Sequence, residues 1–440
     1  MKGSSEATRE HRGSPNALFQ RPGYVHLTHR GGGVGGGEYS AATDAAAPVR
    51  QMGLPRAVLA GCFTLMVTMG LLASSYGPLL PVIQDRFSVS AVETGVLVSG
   101  LPAGAMVAII VCAWLKGRVS TRLLLQSSCV FLVVGLVGLA LAPWWWLLLV
   151  SGVAIGLGYG GATALANGVI AAAYASRRST FLLNLQNGIF GLGAVLGPVF
   201  VTTLSDGSGR LAWLGYVVPA VLAAVLLGAL PLGSLSSPER VTQNVPVLRS
   251  GRLGGFALLF ACFIAVEIST AAWATTHLDA VAASASAVAL ATSLFYLGLA
   301  TGRLGAAVIG LRVDPGPLLV GTTILATFML TLTYLAPLGG AAYVLVGMAI
   351  GPVFPTGLAW VSRDQPHARH PIATVLVAGN LGGIALPPVV GAVIGAVGAQ
   401  AAPLPIAATC AFGAGVAVLL ARGRAQRTTS VSVGSSSVTS

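Results

Sequence analysis

Twelve long apolar stretches follow one another between Ala57 and Ala421, and they restrict the fold more than any other feature of the chain. A helix needs about 20 predominantly apolar residues to cross about 30 Å of hydrocarbon. Breaking the run at its polar, proline-rich and charged points places spans at Ala57–Ile83, Ala91–Leu115, Leu123–Ala142, Leu147–Tyr174, Phe181–Leu204 and Trp213–Gly233. The second set falls at Leu253–His277, Ser286–Gly310, Gly316–Ala336, Gly340–Val361, Ile372–Val397 and Pro403–Ala421. The predicted fold class is all-α integral membrane. Trp144, Trp145 and Trp146 separate spans three and four, at the level where an interfacial aromatic belt belongs.

Composition agrees. Only 8% of the residues are charged, against about 25% in soluble proteins. That excludes an ordinary soluble enzyme and a disordered chain. The formal net charge of +12 suggests nucleic acid only until its placement is read. With the N-terminus in the cytoplasm, 22 of the 24 Lys and Arg residues fall in cytoplasmic segments, and only Arg86 and Arg210 do not. This is the positive-inside pattern of a multi-pass membrane protein. It accounts for the charge without nucleic acid and puts both termini in the cytoplasm. Residues 1–54 read as a polar, Gly-rich, disordered leader and residues 422–440 as a disordered tail. The leader has no signal-peptide order, and Met52 lies just before the first apolar run. Cys62, Cys112, Cys129, Cys262 and Cys410 all lie inside apolar runs, which predicts packing residues and neither disulfide nor metal site.

Parts of the sequence repeat. Ala154-Ile155-Gly156 matches Ala349-Ile350-Gly351, and Leu196-Gly197-Pro198-Val199 matches Leu386-Pro387-Pro388-Val389, at nearly equal offsets. Two six-helix halves, 55–233 and 253–421, joined by a cytoplasmic linker at 234–252, follow from this. Such halves suit a carrier that rocks around a central site. Gly156-Leu157-Gly158-Tyr159-Gly160-Gly161 matches the dinucleotide pattern in letters only. No βαβ unit surrounds it and no ribose-binding acid follows. Its glycines are read as helix-packing residues, and no cofactor is implied.

Of the twelve acidic residues, Glu267 alone sits deep in a span. It lies 14 residues from Leu253, or about 21 Å along the helix. A charge there costs about 2.5–3.5 kcal/mol or more, so it marks a functional site by default. Tyr296 in span eight comes level with it, whereas Arg303 lies about 10 Å lower by the same rise per residue. Depth therefore favours Tyr296 as the partner and makes Arg303 a gate residue. Polar groups at helical spacing predict a cavity wall: Tyr159, Thr163 and Asn167 on span four, Asn184 and Asn187 on span five, with Thr68 and Asn380 from spans one and eleven. Amides, hydroxyls and aromatic rings suit a neutral, polyhydroxylated or amphipathic solute.

Several stretches resemble one known family. Span five carries Leu183-Asn184-Leu185-Gln186-Asn187, Phe190-Gly191-Leu192-Gly193-Ala194 and Gly197-Pro198. Span seven pairs Glu267 with Trp273. Span eight has Ser293-Leu294-Phe295-Tyr296 and Gly302-Arg303-Leu304, and span ten has Gly351-Pro352-Val353-Phe354-Pro355-Thr356. Span eleven has Gly379-Asn380-Leu381-Gly382-Gly383. Together these resemble the major facilitator superfamily, and within it the fucose permease-like proton symporters. The resemblance implies alternating access, proton coupling through Glu267 and Tyr296, and solute contacts that include Trp273. It also implies a gate built from the basic loop after span two. That loop reads Lys116-Gly117-Arg118-Val119-Ser120-Thr121-Arg122, departing from the family signature with glycine in place of its acid; Arg118 and Arg122 are the gate residues that the resemblance implies there.

The expected function is a proton-coupled secondary transporter of a small neutral solute such as a sugar. It would sit in the plasma membrane, work as a monomer, and have the lipid bilayer, solute and protons as partners. It would not be an enzyme. A proton-driven exporter and a non-transporting membrane sensor are the other readings the residues allow.

Overall fold

The computed structural model describes residues 53–174, 176–204, 210–230, 251–281, 283–310, 312–335, 340–365, 368 and 371–436. The expectations for the leader and for the linker fall almost wholly outside these residues. The described residues are helical and contain no strand. Thirteen α-helices form: α1 Arg56–Phe87, α2 Ala91–Leu115, α3 Thr121–Leu141, α4 Trp145–Ala173, α5 Ser176–Thr203, α6 Arg210–Leu227, α7 Gly251–Ala280, α8 Ala285–Ile309, α9 Pro315–Leu335, α10 Gly340–Ile350, α11 Val353–Asp364, α12 Pro371–Val397 and α13 Pro403–Ser436. They provide twelve segments long and apolar enough to cross a membrane, with α10 and α11 together making the tenth.

Local chemistry sets the helix starts. Ser90 opens α2 with a reciprocal cap: its hydroxyl accepts from the Glu93 N–H, and its own N–H donates to the Glu93 carboxylate at 2.8 Å. Ser120 and Ser284 cap α3 and α8 by the hydroxyl alone, which accepts from the N–H groups of Leu123 and Ala287. Each cap satisfies a donor that the first helical turn leaves open. Gly117, at φ 83°, makes the tight turn between α2 and α3, a backbone conformation that costs glycine nothing.

Two differences from the predicted spans have plain causes. The tenth is broken at Gly351-Pro352, because proline lacks the N–H that would continue the ladder. The twelfth continues past Arg422 to Ser436, beyond the point where the tail was expected to begin.

The packing repeats. In the first set of helices α1 lies against α5, α2 against α4, and α3 against α6. In the second set α7 lies against α12, α8 against α10, and α9 against α13. These are the same pairings moved on by six spans. Glycine makes the closest of them. Gly104 of α2 meets the Val153 carbonyl of α4, and Gly156 of α4 meets the Leu101 carbonyl of α2. In the second set Gly298 and Gly302 of α8 rest on the Val344 and Met348 carbonyls of α10, and Gly347 of α10 meets the Phe295 carbonyl of α8. The glycines of the 156–161 run face two neighbouring helices: Gly156 and Gly160 pack on the α2 backbone, and Gly158 on that of α3 at Ser128 and Leu132. Their work is close helix approach. The two sets meet through α2 with α12, α5 with α8, and α1 with α7.

Candidate functional site

The break in span ten lies beside the deep acid. Ile350, Val353 and Phe354, on either side of Gly351-Pro352, line a small cavity of about 10 Å³ with Phe260, Phe263, Ile264 and Glu267 of α7. Non-helical backbone at membrane depth is tolerated where protein buries it or a cavity borders it. Gly351 also lies against α8. A Cβ there would meet the Leu299 carbonyl and, at 3.1 Å, the Arg303 nitrogen. The broken helix therefore fixes both the pocket and the backbone that carries Arg303.

Arg303 is the partner of Glu267. Its Nη2 lies 3.6 Å from Glu267 Oε1, and the two side chains are 29% and 24% exposed. The sequence favoured Tyr296 as the partner of Glu267, whereas the contact in the structure is made by Arg303. Depth arithmetic compared backbone positions, and the length of the arginine side chain closes the gap. Tyr296 is buried, with its ring edge-on to Phe295 at 5.4 Å between centroids. Tyr296 and Tyr159 of α4 are nonetheless near enough to the ion pair to feel both of its charges, and Tyr296 also feels Tyr159. Four predicted residues, Tyr159, Glu267, Tyr296 and Arg303, thus come together from both sets of helices.

The other predicted polar residues divide. Thr163 donates either to Met69 Sδ at 3.2 Å or to the Tyr159 carbonyl at 2.8 Å. Asn167 accepts from Gln186 Nε2 at 3.3 Å. Asn184 and Asn187 are exposed, and Asn187 donates to its own helix at the Leu183 carbonyl. Asn380 does the same at Leu376. Thr68 is buried and bonds Thr64 of its own helix. Trp273 is buried, and its indole N–H has no partner. Neither Thr68 nor Trp273 stands on an open wall. Arg118 lies over the Trp114 ring at 4.5 Å, and Arg122 sits half-buried at the start of α3.

Two features went unread in the sequence. Gln186 is fully buried, joined to Asn167, and its Oε1 is unpartnered. It falls between the two asparagines singled out on span five but on another face of the helix, so spacing could have found it. The second is a polar face on the later part of α7. Ser269, Thr270, Trp273, Thr276 and His277 supply five of the nine buried, unpartnered side-chain atoms among the described residues. His277 uses its other ring nitrogen with the Tyr343 hydroxyl at 3.0 Å. Buried groups of this kind are where internal water binds.

The profile of the Major Facilitator Superfamily matches residues 62–370, well over half of the chain. The chain belongs to this superfamily. It is therefore a multi-pass membrane protein and a secondary transporter of a small solute. Solved structures agree on the fold. FucP, a superfamily transporter crystallised in its outward conformation, superposes with a TM-score of 0.59 at 17% identity, covering 84% of this chain and 99% of that one. A variant of the nucleoside transporter NupG gives 0.66 at 14% identity, covering 83% and 98%. A variant of the E. coli fucose:proton symporter FucP gives 0.58 at 17%, covering 83% and 98%. At these identities the likeness is one of fold. No curated protein sequence matches the chain.

Proposed function

We propose that this superfamily member imports a small neutral solute together with protons across the plasma membrane. It works as a monomer with both termini in the cytoplasm. The observation that carries the reading is the Glu267–Arg303 pair at the edge of a pocket in the middle of the molecule. Removing two charges from water is expensive, and the cost is tolerable while each has the other. A proton from outside converts the carboxylate to a neutral acid and releases Arg303 from the pair. Loss of that proton on the other side restores the pair and resets the carrier. Tyr159, from the first set of helices, and Tyr296, from the second, stand close enough to sense the change and to link it to movement of the two sets. FucP is described as a fucose:proton symporter and NupG as a nucleoside transporter, and both cargoes carry several hydroxyls without requiring a formal charge. The half-buried Asn167 and Asn380, with Thr163 and the exposed Asn184 and Asn187, supply donors and acceptors for such a cargo.

Purified protein in sealed vesicles tests this. Labelled sugars, nucleosides, amino acids and organic anions are offered with an inward proton gradient, an outward one, or none. Accumulation of a neutral solute only under the inward gradient is expected. Gradient-independent uptake, or accumulation of anions alone, would overturn the reading.

A further inference from the structure

The close contacts between the two sets of helices gather at the end where α1 finishes and α2 begins. There α2 and α12 touch backbone to backbone. A Cβ on Gly95 would meet the Pro387 carbonyl at 2.6 Å and the Pro388 Cα at 2.7 Å, and one on Gly391 would strike the Ala91 carbonyl. Gly77 of α1 is pressed in the same way against Thr292 of α8 and the Ala271 carbonyl of α7.

Two serines bond across this seam. Ser99 of α2 donates to the Ile384 carbonyl of α12 at 2.7 Å, and Ser293 of α8 donates to the Val195 carbonyl of α5 at 2.7 Å. Both serines are buried. Each is the ninth residue of its helix. Each accepting carbonyl stands three residues before the first proline inside its helix, Pro198 in α5 and Pro387 in α12. The two bonds are thus counterparts under the internal repeat.

Proline explains why the Ile384 carbonyl accepts. In an α-helix the carbonyl of residue i takes the N–H of residue i+4. Four residues beyond Ile384 stands Pro388, which has no N–H to give. The Ser99 hydroxyl fills that place. Pro198 similarly removes the donor for the Ala194 carbonyl and loosens the turn in which Val195 accepts. A bare buried carbonyl is costly, so the Ile384 site favours the closed arrangement, and the Val195 carbonyl, which the Val199 N–H of its own helix can still reach, gains a second donor across the seam. We propose that Ser99 and Ser293 are a pair of neutral latches, one in each repeat, that hold this end of the carrier shut.

The latch is built to open. A hydroxyl has one proton, and Ser99 Oγ lies 3.0 Å from the Gly95 carbonyl of its own helix as well as 2.7 Å from Ile384. As α12 withdraws, the proton turns back to Gly95 and water reaches the Ile384 carbonyl. No charge is uncovered in either state. Opening at this seam therefore depends on helix movement and not on a charge being bared. This holds whatever the solute and the coupling ion are.

Pairs of spin labels read the latch directly. Asp85→Cys at the end of α1 and Gln400→Cys between α12 and α13 place labels at exposed positions on either side of the seam. Cys112→Ser removes the one native cysteine that is not buried. Pulsed electron resonance on the full chain in lipid then gives the populations of short and long distances. Replacing either serine by alanine is expected to raise the open-to-closed ratio about 5-fold, and replacing both about 30-fold, at the usual strength of one hydrogen bond each. Ser99→Thr and Ser293→Thr keep the donor and should keep the wild-type distribution. An unchanged distribution in the folded double alanine variant would overturn the proposal. So would threonine variants that open as far as the alanine ones, because that would make the effect one of packing. Should the double variant fail to fold, the single variants decide by the same criterion.

Discussion

A carboxylate and a guanidinium held 3.6 Å apart in the middle of a membrane protein depend on each other. Removing one member leaves a partly buried charge alone, which in a fully buried pair costs about 3–5 kcal/mol. Both side chains here are about a quarter exposed, so a smaller penalty, about 1–2 kcal/mol, is expected for Glu267→Gln or Arg303→Gln. The double variant Glu267→Gln with Arg303→Gln should recover much of that loss, since no charge is then left unpaired. Thermal unfolding in detergent checks it: each single variant should melt several degrees lower, and the double variant above the sum of the two. Additive losses would mean that the two groups do not act as a pair. The acid itself was legible in the sequence, because it is the one carboxylate placed deep in a span. Its partner was not, because rise per residue locates a backbone and says nothing of where a long side chain reaches. Asn187 and Asn380 show the opposite limit. Their polar spacing was real, yet each bonds the carbonyl four residues back in its own helix.

Helices in hydrocarbon have little hydrophobic reason to associate, so close packing of small residues carries much of the association. Gly104 illustrates this. A side chain there would run into the Val153 carbonyl and approach the Leu157 nitrogen at 2.6 Å. Backbone cannot give way as a flexible side chain can. Gly104→Leu is therefore expected to separate α2 from α4 and abolish folded protein, seen as loss of the monodisperse peak in detergent chromatography. Gly168, on the same α4 and with nothing within 4 Å of a Cβ, is the control. Gly168→Ala should leave the melting temperature unchanged or slightly raised, since alanine is the better helix former by about 0.5–1 kcal/mol. A Gly104→Leu protein as stable as the wild type would refute the close-contact account. At this scale most of the architecture was legible, as twelve spans with ends within a few residues of the helices that form. The break in span ten was missed although Gly351-Pro352 announces it, because hydropathy counts apolar residues and does not see a missing N–H. The extension of α13 was missed because polar composition was read as disorder, whereas a helix ends only where its hydrogen bonds do.

At the scale of the whole molecule the repeat was legible from two short matches, and the packing carries it through three pairs of helix neighbours in each set. The seam between the two sets was not legible, because it depends on which carbonyls the serines of the opposite set happen to face. The described residues from Gly53 onward form one compact unit, and the Leu54 N–H donates to the Tyr174 hydroxyl at 3.2 Å. A chain beginning at Met52 keeps that bond and every span. It should insert and melt like the full chain, and failure to recover it from membranes would show that the leader is needed. The decisive prediction joins all three scales. Glu267→Gln keeps the shape of the protonated acid but cannot release a proton, so the empty carrier should fail to reset. Accumulation against a gradient should then disappear. Exchange of internal for external solute should persist, because it requires only that the loaded form, with the acid uncharged, move between its two faces. Tyr296→Phe should weaken accumulation less, since it removes one neighbouring hydroxyl and leaves the ion pair. Both quantities can be measured in the same vesicles with whichever solute the uptake panel identifies. Loss of exchange together with accumulation would make Glu267 a solute-binding or structural residue, and undiminished accumulation would place coupling elsewhere.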